Sequence, residues 1–430
     1  MSPEPLTADA AERAVIQRRT LRVLTTGQVV GGAALAAAVT VGAFVIQDIL
    51  GDETAWAGIA TATVTTGTAL MSQVLSRRMQ RRGRRSGLQT GYGLAALGCL
   101  VAVVGVERAS LPVFLAGLFA FGNGQAANLL ARYAATDLAE PDERSRAMSR
   151  IVFASTFGAV FGPLLIEPAE AAGEAWFGLE RYSGPWLFGA VGFAVAMLNT
   201  AVRLRPDPLL VSRSDRTAVG PPVPARVGAT IRDVVAAPLT RIALTAMVIS
   251  QATMVAVMAM TPMHLKLHGH ETVSAYVVSL HIAGMYAFSP LVGRFSDRRG
   301  RLPAILVGAA LLVAATVLAA LSGDVEQLLF PSLWLLGLGW NFGLIGGSTM
   351  LVDNSPRASR VAVQGTADLV MSFCGGLAGF ASGFIRKALG FHLLAASAMV
   401  AAGVLLVLAY SAWARSRPAP ARPADLTTTV

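Results

Sequence analysis

The sequence predicts an all-α polytopic membrane protein with twelve transmembrane helices. Hydrophobic residues make up 54% of the 430 residues, charged residues make up only 14%, and the apolar residues lie in long blocks. A helix needs about 20 apolar residues to cross the hydrocarbon core of a bilayer. Twelve blocks are long enough, at residues 22–47, 55–76, 88–106, 112–135, 148–166, 184–202, 238–263, 271–293, 302–321, 328–351, 363–385 and 390–413.

The predicted spans form two groups of six with a hydrophilic segment between them. Residues 203–237 hold six arginines and a Pro-rich stretch, which is typical of a linker. The predicted organisation is therefore a cytoplasmic tail, a six-helix bundle, a cytoplasmic linker, a second bundle and a disordered cytoplasmic tail. These segments cover residues 1–20, 21–202, 203–237, 238–413 and 414–430.

The distribution of basic residues indicates membrane topology. The net charge of +10 could indicate nucleic-acid binding, but basic residues of membrane proteins concentrate in cytoplasmic loops. If the N-terminus is cytoplasmic, 29 of the 35 basic residues face the cytoplasm and five face outside, namely Arg108, Arg181, Lys266, Arg386 and Lys387. We therefore expect a multi-pass protein of the cell inner (plasma) membrane with both termini cytoplasmic and no nucleic-acid partner.

The two groups of spans also resemble each other in sequence. The segments Arg77–Arg84 and Arg294–Arg301, which follow the second and eighth spans, each end in Gly-Arg, and their glycines are 217 residues apart. The same offset relates Gly158 and Gly162 to Gly375 and Gly379. This repeat predicts a duplicated six-helix unit, a plan in which transporters place their binding site between the halves.

The segment from Gly293 to Arg301 resembles the loop signature Gly-x-x-x-Asp-Arg-x-Gly-Arg of the major facilitator superfamily of transporters. The matching residues are Gly293, Asp297, Arg298, Gly300 and Arg301. The resemblance extends over about residues 20 to 413 and implies a transporter that works by alternating access. Through the repeat, it implies that Asp297 approaches the start of the fifth span near residues 147–151, in a contact that gates one side.

The first-half copy of this loop departs from the signature. Gln80 occupies the place of the aspartate, and Ser76 occupies the place of the first glycine. We therefore expect a weaker charge contact there.

The fifth span resembles a signature found in exporters and antiporters of the same superfamily. Gly158 and Gly162 are four residues apart, a spacing that lets helices approach closely, and Pro163 has no N–H group and allows a kink. We expect these three residues to form a hinge, and the match favours export. Ser149 occupies an upstream glycine position, and Leu118 stands where drug antiporters carry an arginine in the fourth span.

Polar side chains within or at the ends of the spans are candidates for coupling and binding, because the bilayer excludes groups that have no function. The coupling candidates are Asp368, Asp48, His281 and Arg132, although His281 is also consistent with a buried packing residue and Arg132 with a partner of Asp137. Amide side chains are the candidates for the wall of a substrate cavity, namely Gln28, Asn123, Gln125, Asn128 and Gln251.

Metal and enzyme motifs contribute little to the prediction. The pattern His264-x-x-x-His268-x-His270 places histidines on one face of a helix, but no cysteine or clear acid completes a metal site, so we expect none. No nucleotide-binding loop or hydrolase motif occurs. We therefore expect no cofactor and no enzyme.

The functional prediction is a monomeric secondary transporter with a small-molecule substrate and protons as partners. It predicts proton-coupled export of an amphipathic or hydrophobic compound, because only Arg132 offers a buried positive charge for anions. The alternatives are a proton-coupled importer of a metabolite and a transporter-like sensor that carries no flux.

Overall fold

The computed structural model describes residues 10–50, 59–214, 227–267, 271–322 and 325–416. Within these ranges the regular elements are helices and no strand occurs. The helices are α1 (Ala10–Leu50), α2 (Ile59–Arg82), α3 (Arg84–Glu107), α4 (Leu111–Ala134), α5 (Arg144–Leu164), α6 (Ile166–Phe177), α7 (Ser183–Arg203), α8 (Pro208–Ser214), α9 (Val227–Ala236), α10 (Pro238–Leu267), α11 (Glu271–Tyr286), α12 (Ser289–Arg299), α13 (Arg301–Leu321), α14 (Leu329–Asn354) and α15 (Arg360–Ser416), with a short 3-10 turn at Glu326–Leu328.

Eight helical segments of the described ranges are long and apolar enough to cross a membrane, or nine if α5 and α6, bent by 57°, form one span. The eighth predicted span is divided between α11 and α12, because Pro290 in the first turn of α12 has no N–H group to continue the helix. The last two predicted spans are the two arms of α15, which meet at Gly390 (φ 84°). Each of the twelve predicted spans falls on helix, with residues 55–58 outside the described ranges.

Helix also occurs in segments that the sequence predicts as tails or linker. α1 begins at Ala10, α8 and α9 lie in the predicted linker, and α15 continues to Ser416. Residues 1–9, 215–226 and 417–430 of these segments lie outside the described ranges.

α8 is held in place by its neighbours. Val211 packs with Ile16 and Leu138 in a small apolar cluster. The Asp207 carboxylate accepts hydrogen bonds from the backbone N–H of Arg85 (2.8 Å) and, at the start of α8, from that of Leu209 (3.0 Å). A carboxylate that caps a helix start in this way stabilises the helix, so the first part of the linker is attached to the N-terminal half.

Each half of the chain has its own apolar core. One core contains residues of α1–α4 and α7 around the buried Trp186, whose ring meets Phe114 and Phe121 edge-on with centroids 5.5 and 5.4 Å away. The other contains residues of α10–α15, such as Leu333 and Ile345. A few residues of each half also pack into the core of the other half.

The halves meet along two helix pairs, which we name the seams. The first seam is the contact of α2 with the first arm of α15, and the second seam is the contact of α5 with α11 and α12. We name the end of the molecule that carries the turns at Gly83 and Gly300 the basic end, and the opposite end, where Glu107 and α6 lie, the acidic end. The hydrogen bonds between the halves that are described below lie towards the basic end.

Candidate functional site

A buried ion pair joins the halves near the basic end. Arg132 of α4 donates through Nη2 to Oδ1 of Asp368 of α15 at 2.5 Å, and through Nη1 to Oδ2 at 3.4 Å. The two side chains are 2% and 0% exposed. Charges taken out of water this completely are stable only when they are paired and hydrogen-bonded. The structure thus brings together two of the coupling candidates.

The remaining polar atoms of Arg132 also have partners. Its Nη1 donates to the Leu129 carbonyl (2.6 Å), and its Nε donates to Ser348 Oγ (3.3 Å) across the halves. The hydroxyl of Tyr133 accepts from Arg132 Nη2 (3.2 Å) and lies 3.4 Å from Asp368 Oδ1. The ion pair is therefore embedded in a polar network that includes residues of both halves.

The alternative that Arg132 pairs with Asp137 is wrong. Asp137 instead accepts two hydrogen bonds from Arg84 at the start of α3, from Nε at 2.8 Å and from Nη2 at 3.0 Å. Arg84 is fully buried, so the expectation that only Arg132 offers a buried positive charge is wrong. The Nη2 of Arg84 also donates across the halves to Gln364 Oε1 at 2.7 Å. Because Gln364 precedes Asp368 by one helical turn, two buried arginines contact one face of α15 from the N-terminal half.

Asp297 contacts the start of α5, as its loop signature implies. Its carboxylate accepts from the backbone N–H of Ser145 (3.1 Å) and of Arg146 (2.9 Å), and from Arg301 Nη1 (2.7 Å). The contact begins two residues before the expected range 147–151, because α5 starts at Arg144. Negative charge at a helix N-terminus satisfies free N–H groups and the positive end of the helix dipole. This carboxylate therefore ties α12 to α5.

A second carboxylate reinforces the same region. Asp353 of α14 accepts from Arg144 Nη1 (2.6 Å) across the halves and from Arg301 Nε (3.0 Å) within its own half. Of the other loop candidates, Gly300 adopts φ 97°, a backbone conformation that glycine tolerates, and Arg298 is exposed. Gly293 lies in the second seam against Ser145 and Ser149.

Replacement of Asp297 by asparagine is expected to destabilise the closed basic end by about 1–2 kcal/mol, because the charge that caps α5 is lost. The open fraction should rise by about 5- to 30-fold. A suitable reporter is Val352→Cys in a chain with Cys99→Ala and Cys374→Ala, since Val352 is 1% exposed and packs into the core of the opposite half. Maleimide labelling of the purified reporter chain measures the opening.

The matched control is Arg299→Ala, an exposed position on the same helix, which should leave the labelling rate unchanged. Equal labelling rates for Asp297→Asn and the unmodified reporter chain would contradict a gating contact.

The other two coupling candidates lie apart from the ion pair. Asp48 is exposed near the acidic end of α1. His281 of α11 is fully buried, and its Nδ1 is 2.8 Å from the carbonyl oxygen of Leu333 in α14, within its own half. The structure thus places His281 in the packing of two helices, in agreement with its structural interpretation.

The amide candidates make hydrogen bonds mostly within one half. Gln28 donates to Ser155 Oγ (2.9 Å), and Trp340 donates from its indole N–H to Gln251 Oε1 (2.7 Å). Asn128 accepts from the Tyr92 hydroxyl (3.0 Å), and Asn123 donates to the Ala120 carbonyl (2.7 Å). Gln125 is partly exposed on α4. The Oδ1 of Asn123 and the Oε1 of Gln28 are buried without a partner.

The predicted hinge lies where α5 approaches α1. A Cβ atom on Gly158 would lie 2.6 Å from the carbonyl carbon of Gly32, so only glycine permits this approach. Gly162 is buried, and a bend of 57° separates the helical segment that ends at Gly162 from the one that begins at Ile166.

The histidine pattern is only partly described. His264 stacks on Phe391 with ring centroids 4.3 Å apart, whereas His268 and His270 lie outside the described ranges. Among the described residues, no group of three potential ligands could hold a metal ion.

Comparison with known proteins identifies the family. The sequence model of the Major Facilitator Superfamily matches residues 24–280 and 242–429. The chain belongs to the major facilitator superfamily. It is 37% identical to the uncharacterized MFS-type transporter YdeG of Bacillus subtilis (strain 168), over 94% of this chain and 93% of that protein. It is 26% identical to the riboflavin transporter RfnT of Brucella anthropi, over 89% of this chain and 92% of that protein.

A solved structure gives the same fold. The proton:xylose symporter XylE bound to 6-bromo-6-deoxy-D-glucose superposes with a TM-score of 0.71, over 94% of this chain and 96% of that chain, at 14% identity. This major facilitator protein is therefore a multi-pass membrane transporter of small molecules and not an enzyme.

Several residues of the site were not among the sequence candidates. They are Arg84, Tyr133, Arg144, Ser348, Asp353 and Gln364. The repeat contains a signal for some of them, because Arg84 corresponds to the loop residue Arg301 at an offset of 217. Ser348 corresponds to Arg132 at an offset of 216. Nothing in the local sequence indicates Gln364 or Tyr133.

Proposed function

We propose that this major facilitator protein exports a small amphipathic or hydrophobic compound in exchange for protons. The observation that carries the proposal is the buried pair of Arg132 and Asp368, which joins α4 of one half to α15 of the other. Ionisable groups at membrane depth are energetically costly, so those that occur there usually have a function. Transporters use such groups to carry protons.

The coupling would follow from the partners of Asp368. When Asp368 binds a proton, its attraction for Arg132 is lost, and one connection between the halves becomes weaker. Arg132 keeps its bonds to Leu129 and Tyr133 of its own half, so its charge stays solvated by polar groups after the halves separate. Proton binding would thus favour opening of the basic end, and proton release would favour closure.

The basic end would face the cytoplasm, with both termini on that side of the plasma membrane, because cytoplasmic loops are the basic ones. Asp297, Asp353 and Asp368 all hold the basic end together in this structure. The conformation would therefore be the one that opens to the outside, in which an exporter releases its substrate. A monomer is sufficient for this cycle, since the paired groups belong to one chain.

The proposed substrate class rests on the amide side chains that are candidates for the wall of the substrate cavity. The candidates Gln28, Asn123 and Gln251 are neutral amides. The buried cations Arg84 and Arg132 are each paired with an acid, so neither offers a free charge to an anion. Such walls suit a poorly charged compound with a few hydrogen-bonding groups better than a sugar phosphate or a dicarboxylate.

Everted membrane vesicles test direction and coupling together. With an acidic lumen, vesicles that contain the protein should accumulate uncharged amphipathic dyes such as Nile red, and Asp368→Asn should abolish the part that depends on the proton gradient. The matched control is Glu174→Gln at the exposed acidic end, which should accumulate dye like the unmodified protein. No gradient-dependent uptake across a broad panel of such compounds would refute export.

A second candidate is uptake of a flat heteroaromatic metabolite, suggested by the relative named as a riboflavin transporter. The rings of Tyr286 and Trp340 have centroids 5.9 Å apart at 88°, beside the Gln251 amide, and such groups suit an aromatic ring system with polar edges. Intact cells that take up riboflavin faster when they contain this protein would favour this candidate over export.

A further inference from the structure

Each seam contains a close contact between one glycine and one serine. The two residue types occupy exchanged positions in the two seams. In the second seam, Gly293 of α12 faces Ser149 of α5, and a Cβ atom on the glycine would lie 2.4 Å from Ser149 Oγ. In the first seam, Gly365 of α15 faces Ser76 of α2, and a Cβ atom on this glycine would overlap Ser76 Oγ and lie 2.3 Å from Ser76 Cβ. At this point of each seam, a side chain beyond Cα fits on only one of the two facing helices.

The contacts indicate an exchange. Ser76 corresponds to Gly293 at the repeat offset of 217, and the residues that face them, Gly365 and Ser149, lie one residue off that offset. The two serines also use their hydroxyl groups in the same way. Ser76 donates to the Gln73 carbonyl (3.0 Å), and Ser149 donates to the Arg146 carbonyl (2.9 Å), each three residues earlier in its own helix. Neither hydroxyl is needed as a partner across the seam.

The polar contacts differ between the seams. The second seam is ionic, since Asp297 binds Arg146 (3.3 Å) as well as the start of α5. α2 contains no acidic residue, and the hydrogen bonds described below join its amide side chains to the other half. Gln80 donates through Nε2 to the Ala358 carbonyl (2.9 Å), just before α15, and Gln73 Oε1 accepts from Thr366 Oγ1 (3.1 Å).

We propose that the first loop is a working gate of uncharged type, in which the pair Ser76 and Gly365 and the Gln80 amide replace the glycine and aspartate of the signature. Gln80 is 5% exposed. Arg213 of α8 donates to the backbone carbonyl oxygen of Gln80 (2.8 Å), which fixes the position of this residue at the end of α2. The two differences from the signature, Ser76 for glycine and Gln80 for aspartate, therefore act together. The first loop has a weaker charge contact, as expected from the sequence, but it keeps a contact across the seam. This gate rests on the alternating access proposed above.

The physical consequence is that the two seams respond differently to salt. The screening length of an electrolyte falls from about 10 Å at 0.1 M to about 3 Å at 1 M, which weakens ion pairs according to their exposure and leaves neutral hydrogen bonds nearly unchanged. The Asp297 carboxylate is 2% exposed, but its partner Arg146 is 44% exposed and accessible to salt. Salt should therefore loosen the second seam selectively, and the first seam should keep its strength.

The steric part of the proposal is tested by exchanging the residues back in the Val352→Cys reporter chain. Gly365→Ser should raise the maleimide labelling rate by about tenfold or more, because the seam becomes overpacked. The double variant Ser76→Gly with Gly365→Ser should return to within about twofold of the reporter chain. Gly293→Ser, alone and with Ser149→Gly, is the comparison in the second seam. Its rescue should be less complete, because a Cβ atom on Gly293 would also lie 2.7 Å from the backbone carbonyl oxygen of Ser145.

The polar part is tested by comparing Gln80→Ala with Asp297→Asn at about 0.1 M and about 1 M salt. Gln80→Ala should raise the labelling rate by the same factor at both concentrations, whereas Asp297→Asn should reduce the salt dependence. Melting temperatures of each variant identify any that fail to fold, and Gly365→Ala then serves as a smaller steric change.

The proposal is refuted if Gly365→Ser labels at the rate of the reporter chain, or if the double variant labels as fast as Gly365→Ser. A salt-dependent effect of Gln80→Ala would refute the uncharged character of the gate. Labelling needs no substrate and no gradient, so these outcomes are independent of the vesicle test. If the double variant labels like the reporter chain but the vesicles take up no dye, the proposed export is refuted and the proposed gate is not.

Discussion

Removal of the Asp368 carboxylate alone should lower the free energy of unfolding by about 3–5 kcal/mol, since it leaves the Arg132 charge buried without its counter-ion. Asp368→Ala is the variant that shows this effect most clearly, because alanine offers Arg132 no replacement oxygen. The hydrogen bonds of Arg132 to Leu129 and Tyr133 remain, which places the expected loss at the lower end of this range. Thermal unfolding of the purified protein in detergent measures the loss.

The double variant Arg132→Gln with Asp368→Asn separates the charge from the packing. Two neutral amides need no counter-ion, but glutamine is shorter than arginine, so this variant should recover part of the stability while it loses proton dependence. A double variant as unstable as Asp368→Ala would show that the shape of the pair matters more than its charge. Glu174→Gln, an exposed acid, should leave the melting temperature unchanged.

Arg84→Ala should be far more destabilising than Arg301→Ala, although the repeat places the two arginines at equivalent positions. Arg84 and its partner Asp137 are 0% and 4% exposed, and the alanine variant would leave the Asp137 charge buried. The expected loss is about 3–5 kcal/mol. Arg301 pairs with Asp353, which is 23% exposed, and with Asp297, which is 2% exposed. In the alanine variant Asp353 keeps its bond to Arg144, and Asp297 keeps those from the N–H groups at the start of α5. A loss of about 1–2 kcal/mol is expected there.

The comparison uses the melting temperatures of the two alanine variants, with Arg84→Lys as a third. Lysine keeps the positive charge but has no planar fork for the two bonds to Asp137, so it should recover only part of the stability. Equal losses for Arg84→Ala and Arg301→Ala would mean that burial does not decide the strength of these contacts.

Several features of the gate could be predicted from local sequence because their causes are local. Asp297 and Gly300 lie within one turn of each other, and their roles follow from an acid at the end of a helix and a glycine with positive φ. The contact of Asp297 with the start of α5 required the family resemblance in addition, because α5 is about 150 residues away in sequence. The estimate of its position was two residues late.

The partners of the buried charges could not be predicted in the same way. Both Asp137 and Asp368 were available to Arg132 by sequence, and Asp137 is the nearer of the two along the chain. The choice depends on the rotation of α4 and α15 about their axes, and that rotation is set by packing between helices. The first loop illustrates the same limit, since Ser76 departs from the signature and only its neighbour Gly365 explains why.

The sequence by itself determined the membrane fold and the family, and it predicted the twelve spans and the repeat, because the bilayer requires long apolar helices and basic loops whatever the helices pack against. Only the tertiary structure decided that Arg132 pairs with Asp368, 236 residues later, and that one glycine in each seam faces a serine of the other half. Ion pairs and close contacts act over a few ångströms, so they depend on how the two halves pack together.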